Sequence, residues 1–157
     1  MTLFKKEIVP STEKEAVVYA SAAGKILELD KVPNAAISSG ILGDGFGIKS
    51  EGGKVIAPIE GRIRDISDMG RTISMKGKDG LKILVNIDCG NREDELMLQV
   101  AKGDIVEAGV LFCETGEAVI SVVFTCGEQL SMIETRSGKV KLGDEAAVYR
   151  LRPQIVK

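Results

Sequence analysis

This 157-residue sequence contains no histidine, the side chain that most often serves as a general base near neutral pH. That excludes Ser-His-Asp triads, Cys-His pairs, histidine-ligated zinc and phosphohistidine. Three cysteines remain as candidate nucleophiles: Cys89, Cys113 and Cys126. Cys113 and Cys126 lie in apolar runs, so we interpret them as small core residues. Cys89 is the better candidate, although the adjacent carboxylate of Asp88 disfavours its thiolate.

The composition of the chain limits which kinds of partner it can bind and indicates its cellular compartment. Lys and Arg number 21 and Asp and Glu number 23, so the net charge is −2 and gives no attraction for nucleic acid or an anionic membrane. An odd number of cysteines without a CxxC pair favours a reducing, cytoplasmic location. No apolar run is long enough to span a membrane, and residues 1–10 lack the apolar core of a signal peptide. We expect no metal and no cofactor.

Short apolar or alternating runs separated by turn residues must provide the elements that position these side chains. Eighteen glycines are scattered along the chain and divide it into such runs. Short runs with this punctuation predict an all-β sandwich or barrel of antiparallel strands. Lys78-Asp79-Gly80 and Glu51-Gly52-Gly53 each predict a β-hairpin turn.

Helix is expected to be scarce and the chain to form one domain. No long amphipathic helix is visible, and short helical turns are predicted only within 94–100 and 128–135. Residues 1–15 are polar and mixed, which predicts a partly ordered N-terminal arm. Residues 16–157 are predicted to form a single β domain.

Several glycine-containing segments carry a family resemblance. Gly43-Asp44-Gly45-Phe46-Gly47 is followed at a defined distance by Ala57-Pro58-Ile59-Glu60-Gly61, and Gly24-Lys25-Ile26 and Gly138-Lys139-Val140 lie near the two ends. Together they resemble the glucose-type IIA domain of the bacterial phosphoenolpyruvate:sugar phosphotransferase system, over 18–151. The resemblance implies a β-sandwich of the duplicated hybrid motif type.

The resemblance also implies a phosphocarrier, but the two positions at its reaction centre differ here. Members of that family accept a phosphoryl group from a phosphocarrier protein on one histidine, hold it near a second, and pass it to the IIB part of a sugar permease. Asn86 stands at the first position and Arg71 at the second. The lone pair of an amide nitrogen is delocalised and a guanidinium stays protonated, so neither side chain is a nucleophile.

Each of these two residues has a functional and a purely structural interpretation. The planar guanidinium of Arg71 suits an anion or an acidic side chain of a partner, whereas the alternatives are a solvated surface arginine or a local ion pair. Asn86 is either part of a binding face or simply a polar residue at a strand end.

A partner-binding face around these two positions is the other implication of the resemblance. It is expected to be apolar with a polar rim. By position it comprises Ala35, Ala36, Ile37, Asp65, Ser67, Met69, Arg71, Ser74, Lys76, Leu84, Val85 and Asn86. The expected partners are proteins: the phosphocarrier protein, a IIB domain or a transporter-like protein. The oligomeric state stays open.

Three classes of function follow from the sequence. The first is a IIA-like protein that has lost the phosphorylatable histidine and acts as a partner-binding, regulatory module in sugar uptake. The second is an active phosphocarrier with another acceptor, such as Cys89. The third is a different role on the same fold, such as a small-molecule binder or an enzyme that needs no histidine. The sequence favours the first, because the frame of the family is retained while both central positions are changed.

Overall fold

Thirteen β-strands make up most of the regular structure in residues 15–90 and 94–153, the part of the chain that the computed structural model describes. In chain order they are β1 (Glu15–Tyr19), β2 (Gly24–Glu28), β3 (Asp44–Ser50), β4 (Gly53–Ile56), β5 (Gly61–Ser67), β6 (Thr72–Lys76), β7 (Lys82–Asp88), β8 (Ile105–Val106), β9 (Leu111–Thr115), β10 (Ala118–Phe124), β11 (Leu130–Thr135), β12 (Lys139–Val140) and β13 (Glu145–Leu151). One short helix, α1 (Ala35–Ser38), and 3-10 turns at Leu29–Lys31, Asp68–Gly70 and Gly127–Gln129 accompany them. The predicted N-terminal arm lies outside the described residues except for Glu15, where β1 begins.

Eight of the strands form one sheet in the order β12-β2-β3-β10-β7-β6-β5-β8. The order β1-β13-β11 forms a second sheet, and β4 pairs with β9 in a third. Every pairing is antiparallel. The predicted all-β sandwich is confirmed, and over the described residues the sheets stay open instead of closing into a barrel.

One side of the eight-stranded sheet faces the main core. Alternate residues of β7, Ile83, Val85 and Ile87, are at most 1% exposed, and Ile120 and Val122 of β10 are fully buried beside them. Apolar side chains at every second position are what makes a strand bury one face. The same alternation sends Leu84, Asn86 and Asp88 to the opposite side, which we call the outer face.

The segment that contains α1 covers part of the outer face. Ala36 N donates to Asn34 Oδ1 at 3.0 Å, so Asn34 caps the start of the helix. Val32 and Ile37 then pack with Val123 in a small apolar cluster separate from the main core. Gly47 lies beneath this segment, and a Cβ there would lie 2.8 Å from Val32 Cγ2. The absence of a side chain at Gly47 therefore lets the segment lie close to the sheet.

Of the two predicted hairpins, one is confirmed and one is wrong. Lys78-Asp79-Gly80 joins β6 to β7, which pair in the antiparallel sense. Glu51-Gly52-Gly53 does not join paired strands, because β3 pairs with β2 and β10 while β4 pairs with β9. Gly52 and Gly53 have φ values of 127° and 119°, a conformation that glycine adopts without strain and that takes the chain out of the large sheet.

The predicted helical turns at 94–100 and 128–135 are wrong in large part. The segment 94–100 contains no helix, because its amides bond elsewhere: Leu96 N donates to Met69 O and Gln99 N to Phe112 O, both at 2.8 Å. In 128–135 only the end of a 3-10 turn is helical, and the remaining residues form β11.

We predict that Gly45→Ala destabilises the fold by about 3 kcal/mol, the upper end of ordinary overpacking. A Cβ at Gly45 would lie 2.1 Å from the backbone oxygen of Val122, and neither strand can move without breaking its ladder. Gly116→Ala is the matched control, because a Cβ there meets nothing within 4 Å. We expect the control to change the free energy of unfolding by at most about 0.5 kcal/mol. Urea denaturation measures both, and equal values for the two variants would contradict the packing argument.

Candidate functional site

The register of the large sheet brings a row of small and polar residues to the middle of the outer face. Gly47, Ser121, Asn86 and Thr72 are successive neighbours across β3, β10, β7 and β6. We call them the central row. Asn86 therefore lies between two hydroxyl side chains supplied by different strands.

Asn86 is held in the central row as a buried, neutral hydrogen-bonding group. Its side chain is 6% exposed, and Nδ2 donates to Thr72 Oγ1 at 3.1 Å. Ser121, on the other side, is 1% exposed. An amide beside hydroxyl groups can position a polar atom, but it supplies neither a nucleophile nor the base that a hydroxyl would need.

Arg71 follows a turn in an uncommon backbone conformation. Asp68 and Met69 both have φ of 55°, which non-glycine residues adopt only at a cost. Leu96 N donates to Met69 O at 2.8 Å and Ile87 N donates to Arg71 O at 2.8 Å, so the turn is fixed from two sides. These hydrogen bonds fix the position of the backbone from which the Arg71 side chain extends.

The guanidinium of Arg71 is buried. The residue is 3% exposed, and Nη1 donates to Met69 O at 3.5 Å. The alternative of a solvated surface arginine is therefore wrong. A partner could touch this cation only if the turn at 68–71 moved.

The other predicted face residues divide by exposure. Asp65, Ser74 and Leu84 are neighbours in one row across β5, β6 and β7. Ala35, Ala36, Asp65, Ser67, Met69 and Lys76 are exposed, Ser74 and Leu84 are half-buried, and Ile37 is buried. Val85 was placed on this face wrongly, because it points into the main core and is fully buried. Alternation along β7 makes Leu84 and Val85 face opposite sides.

Sequence reasoning missed two apolar residues beside the outer face. Ile41 is 81% exposed and Leu42 is 42% exposed, directly after α1. Met69, which was predicted, is 46% exposed. The available signal was an apolar pair between Gly40 and Gly43, in a segment too short to be a strand. Ile41 and Leu42 are adjacent exposed apolar residues, a feature that favours contact with a protein partner.

A second group that the sequence did not reveal is a row of cations at one end of the outer face. Arg62, Lys76 and Lys82 lie directly opposite one another on β5, β6 and β7, and all three are exposed. We call this row the basic edge. It makes that end of the face electropositive although the whole chain is slightly acidic.

The cysteines differ in their suitability as acceptors. Cys113 is 2% exposed, and burial, with smaller contributions from nearby Cys89 and Glu114, raises the pKa of its thiol to about 11. Cys89 is half-buried against the main core, and Cys126 is half-buried just after β10. Among the described residues, no three His, Cys, Asp or Glu side chains are grouped so as to hold a metal ion.

Comparison with known proteins gives a consistent result along most of the chain. A family model described as the phosphoenolpyruvate-dependent sugar phosphotransferase system, EIIA 1, matches residues 16–125. The glucose-specific EIIA component of Haemophilus influenzae is 28% identical, in an alignment that covers 94% of this chain and 98% of that protein. The solved glucose permease IIA from Mycoplasma capricolum superposes with a TM-score of 0.73 at 25% identity, over 86% of this chain and 96% of that one.

A third relative is a much longer protein, of which only one segment matches this chain. The glucoside-specific EIICBA component of Staphylococcus carnosus is 36% identical over 74 residues, which are 47% of this chain but 11% of that protein. In the chain studied here, no helix among the described residues is long and apolar enough to cross a membrane.

We predict that Cys113 does not react as a nucleophile in the folded protein. A pKa of about 11 leaves roughly a thousandth of the thiol ionised at pH 8, and burial blocks the reagent as well. In the variant C89S/C126S, where Cys113 is the only thiol, we expect a disulfide reagent to modify the protein no faster than it unfolds. The same variant in urea, which should react at once, is the control. Rapid modification under native conditions would contradict the buried placement.

Proposed function

Because the chain belongs to the EIIA 1 family of the phosphoenolpyruvate-dependent sugar phosphotransferase system, we propose that it binds a protein partner through the outer face without carrying a phosphoryl group on histidine. One observation carries the proposal. At the centre of the outer face, where the family resemblance implies a phosphorylated histidine, Asn86 is buried and donates to Thr72, in a chain with no histidine.

The chemistry at this centre supports binding over transfer. A phosphoryl acceptor needs an available lone pair, and neither the amide of Asn86 nor the guanidinium of Arg71 has one. The hydroxyls of Thr72 and Ser121 lie beside Asn86, but an alcohol needs a base to attack phosphorus, and Asn86 is not one. Cys89 is the remaining acceptor, and it is half-buried against the core.

Exposed apolar side chains and the basic edge support partner binding. Ile41, Leu42 and Met69 present apolar surface that the fold does not use. An apolar centre with a charged rim is the usual composition of a specific interface. The basic edge selects a partner that carries acidic residues at the corresponding part of its own rim.

A regulatory role in sugar uptake follows from binding without transfer. A face that docks a partner of the transfer chain but accepts no phosphoryl group occupies that partner without consuming it. The complex then competes with productive partners in proportion to its concentration and affinity. The partner classes that fit are the phosphocarrier protein and the IIB part of a sugar permease.

We predict that the purified chain gains no phosphoryl group when incubated with phosphoenolpyruvate, enzyme I and the phosphocarrier protein. The intact mass of the protein shows whether a phosphoryl group was added. It is recorded after one quench that avoids acid and after one that avoids base, with a histidine-containing IIA domain as the positive control. In Asn86→His we expect one acid-labile phosphoryl group, because the sheet that positions residue 86 is unchanged, whereas Asn86→Gln should gain none. If the wild type is phosphorylated and Cys89→Ser abolishes that phosphorylation, the alternative of a cysteine phosphocarrier is established instead.

We also predict that Ile41→Asp weakens partner binding by at least about tenfold, as loss of a buried apolar anchor does at an interface. Isothermal titration calorimetry with the purified phosphocarrier protein and with a purified IIB domain measures the affinity. Leu142→Asp is the control, because Leu142 is also an exposed aliphatic residue, at 37% against 81%, but lies in the turn that leads from β12 to β13 of the three-stranded sheet. Equal losses in both variants, or no binding of either partner to the wild type, would count against the proposed face.

A further inference from the structure

Three lysines lie directly opposite one another at the other end of the outer face. Lys139 pairs with Lys25 across β12 and β2, and Lys25 pairs with Lys49 across β2 and β3. All three are exposed, and among the described residues none of them forms an ion pair. We call them the lysine row. Like charges directly opposite in a sheet oppose folding, so this arrangement calls for an explanation beyond stability.

The lysine row lines a groove of about 940 Å³. This volume is in the range of small-molecule sites, roughly 300 to 1,000 Å³. Continuing the row, Val119 pairs with Lys49 and Asp88 pairs with Val119. The groove is thus cationic at one end of the row and carries a carboxylate at the other, about 10 Å away across two strand spacings.

Carboxylates and backbone complete the lining. Glu51 and Glu117 lie on the walls with Asp88, and Gly24 and Gly52 leave backbone accessible between them. Ammonium groups bind a phosphate ester through charge-assisted hydrogen bonds. Carboxylates accept hydrogen bonds from hydroxyl groups, and a polyhydroxy compound offers several. Both kinds of group stand in one groove, at a separation that a molecule of hexose size spans.

We propose that this groove binds a phosphorylated sugar or polyol, with its phosphate at the lysine row and its hydroxyls towards Asp88 and Glu117. An acidic peptide fits less well, because the groove holds as many carboxylates as lysines and would repel part of such a chain. A ligand with one anionic end and one neutral, hydroxylated end satisfies both halves. The site lies one row away from the central row and does not depend on the proposed function.

Titration calorimetry and backbone amide NMR shifts with glucose 6-phosphate, glucose and inorganic phosphate, all at constant ionic strength, test this site. We expect glucose 6-phosphate to bind at least about tenfold tighter than either of the other two, because only it satisfies both ends of the groove. The shifted amides should include Gly24, Gly52 and Val119. Glu117→Gln should lower the affinity for glucose 6-phosphate relative to that for inorganic phosphate, because it removes a carboxylate acceptor for the hydroxyls and also removes a charge that repels phosphate.

A matched pair of variants separates the site from general charge attraction. K25Q/K49Q should weaken glucose 6-phosphate at least about tenfold. K76Q/K82Q removes the same charge and the same like-charge opposition from the basic edge, outside the groove, and should leave the affinity unchanged. Lys139→Gln, a single change on the edge strand β12, gives a second reading if the double variant fails to fold.

Three results would overturn the proposal. Equal weakening by both double variants would mean that only the net charge matters. Inorganic phosphate binding as tightly as glucose 6-phosphate would remove the role of the hydroxyl groups. Tighter binding of a hexaglutamate peptide at the same amides would replace the sugar phosphate with an acidic protein segment as the occupant.

Discussion

The pairing of β10 on both of its edges is the constraint on which the rest of the structure depends. Ala118–Phe124 runs antiparallel to β3 on one side and to β7 on the other along nearly its whole length. Ile120, Val122 and Phe124 are at most 1% exposed on the core side. A slip of one residue would exchange them for Val119, Ser121 and Val123, which would bring a hydroxyl into the main core and take Phe124 out of it, so packing fixes the register. Every row of the outer face inherits that register.

The rows explain how a buried polar centre forms in the middle of this sheet. Ser121 has to point away from the core because Ile120 and Val122 point into it, and its neighbour across the ladder is Asn86. Asn86 in turn reaches Thr72 on the next strand. A buried amide without such a partner would destabilise the fold by about 1–3 kcal/mol. Asn86 avoids that cost because Thr72 accepts a hydrogen bond from its amide.

The fold class and the family could be predicted from sequence because their signals are local. Turn glycines, alternating apolar runs and the segment around Gly43–Gly47 all lie within a few residues of one another, and so does the Lys78-Asp79-Gly80 turn. The path after Glu51 could not be predicted, because two glycines allow a hairpin and a departure from the sheet equally well, and the pairing of β4 with β9 decides between them.

The sequence could not predict those parts of the site whose positions depend on contacts between segments that are far apart in the chain. Arg71 is buried in a turn that Leu96 and Ile87 hold by their amides, and nothing near Arg71 in sequence announces these bonds. The lysine row joins residues 25, 49 and 139, which only strand order brings together. The alternation that places Leu84 outward and Val85 inward was present in the sequence. Reading it would have required knowing which face of β7 the core takes.

The outer face has a distribution of charge that the net charge of the chain does not reveal. The whole chain is slightly acidic, yet both ends of this face end in three cations on adjacent strands, with a neutral polar row between them. Charges about 5 Å apart on neighbouring strands add their fields over distances shorter than the roughly 8 Å screening length of physiological salt. An anionic ligand or an acidic rim is thus drawn to either end, and the centre contributes shape and hydrogen bonds without charge. Such a division suits recognition, since the ends set which charge is accepted and the centre sets the fit.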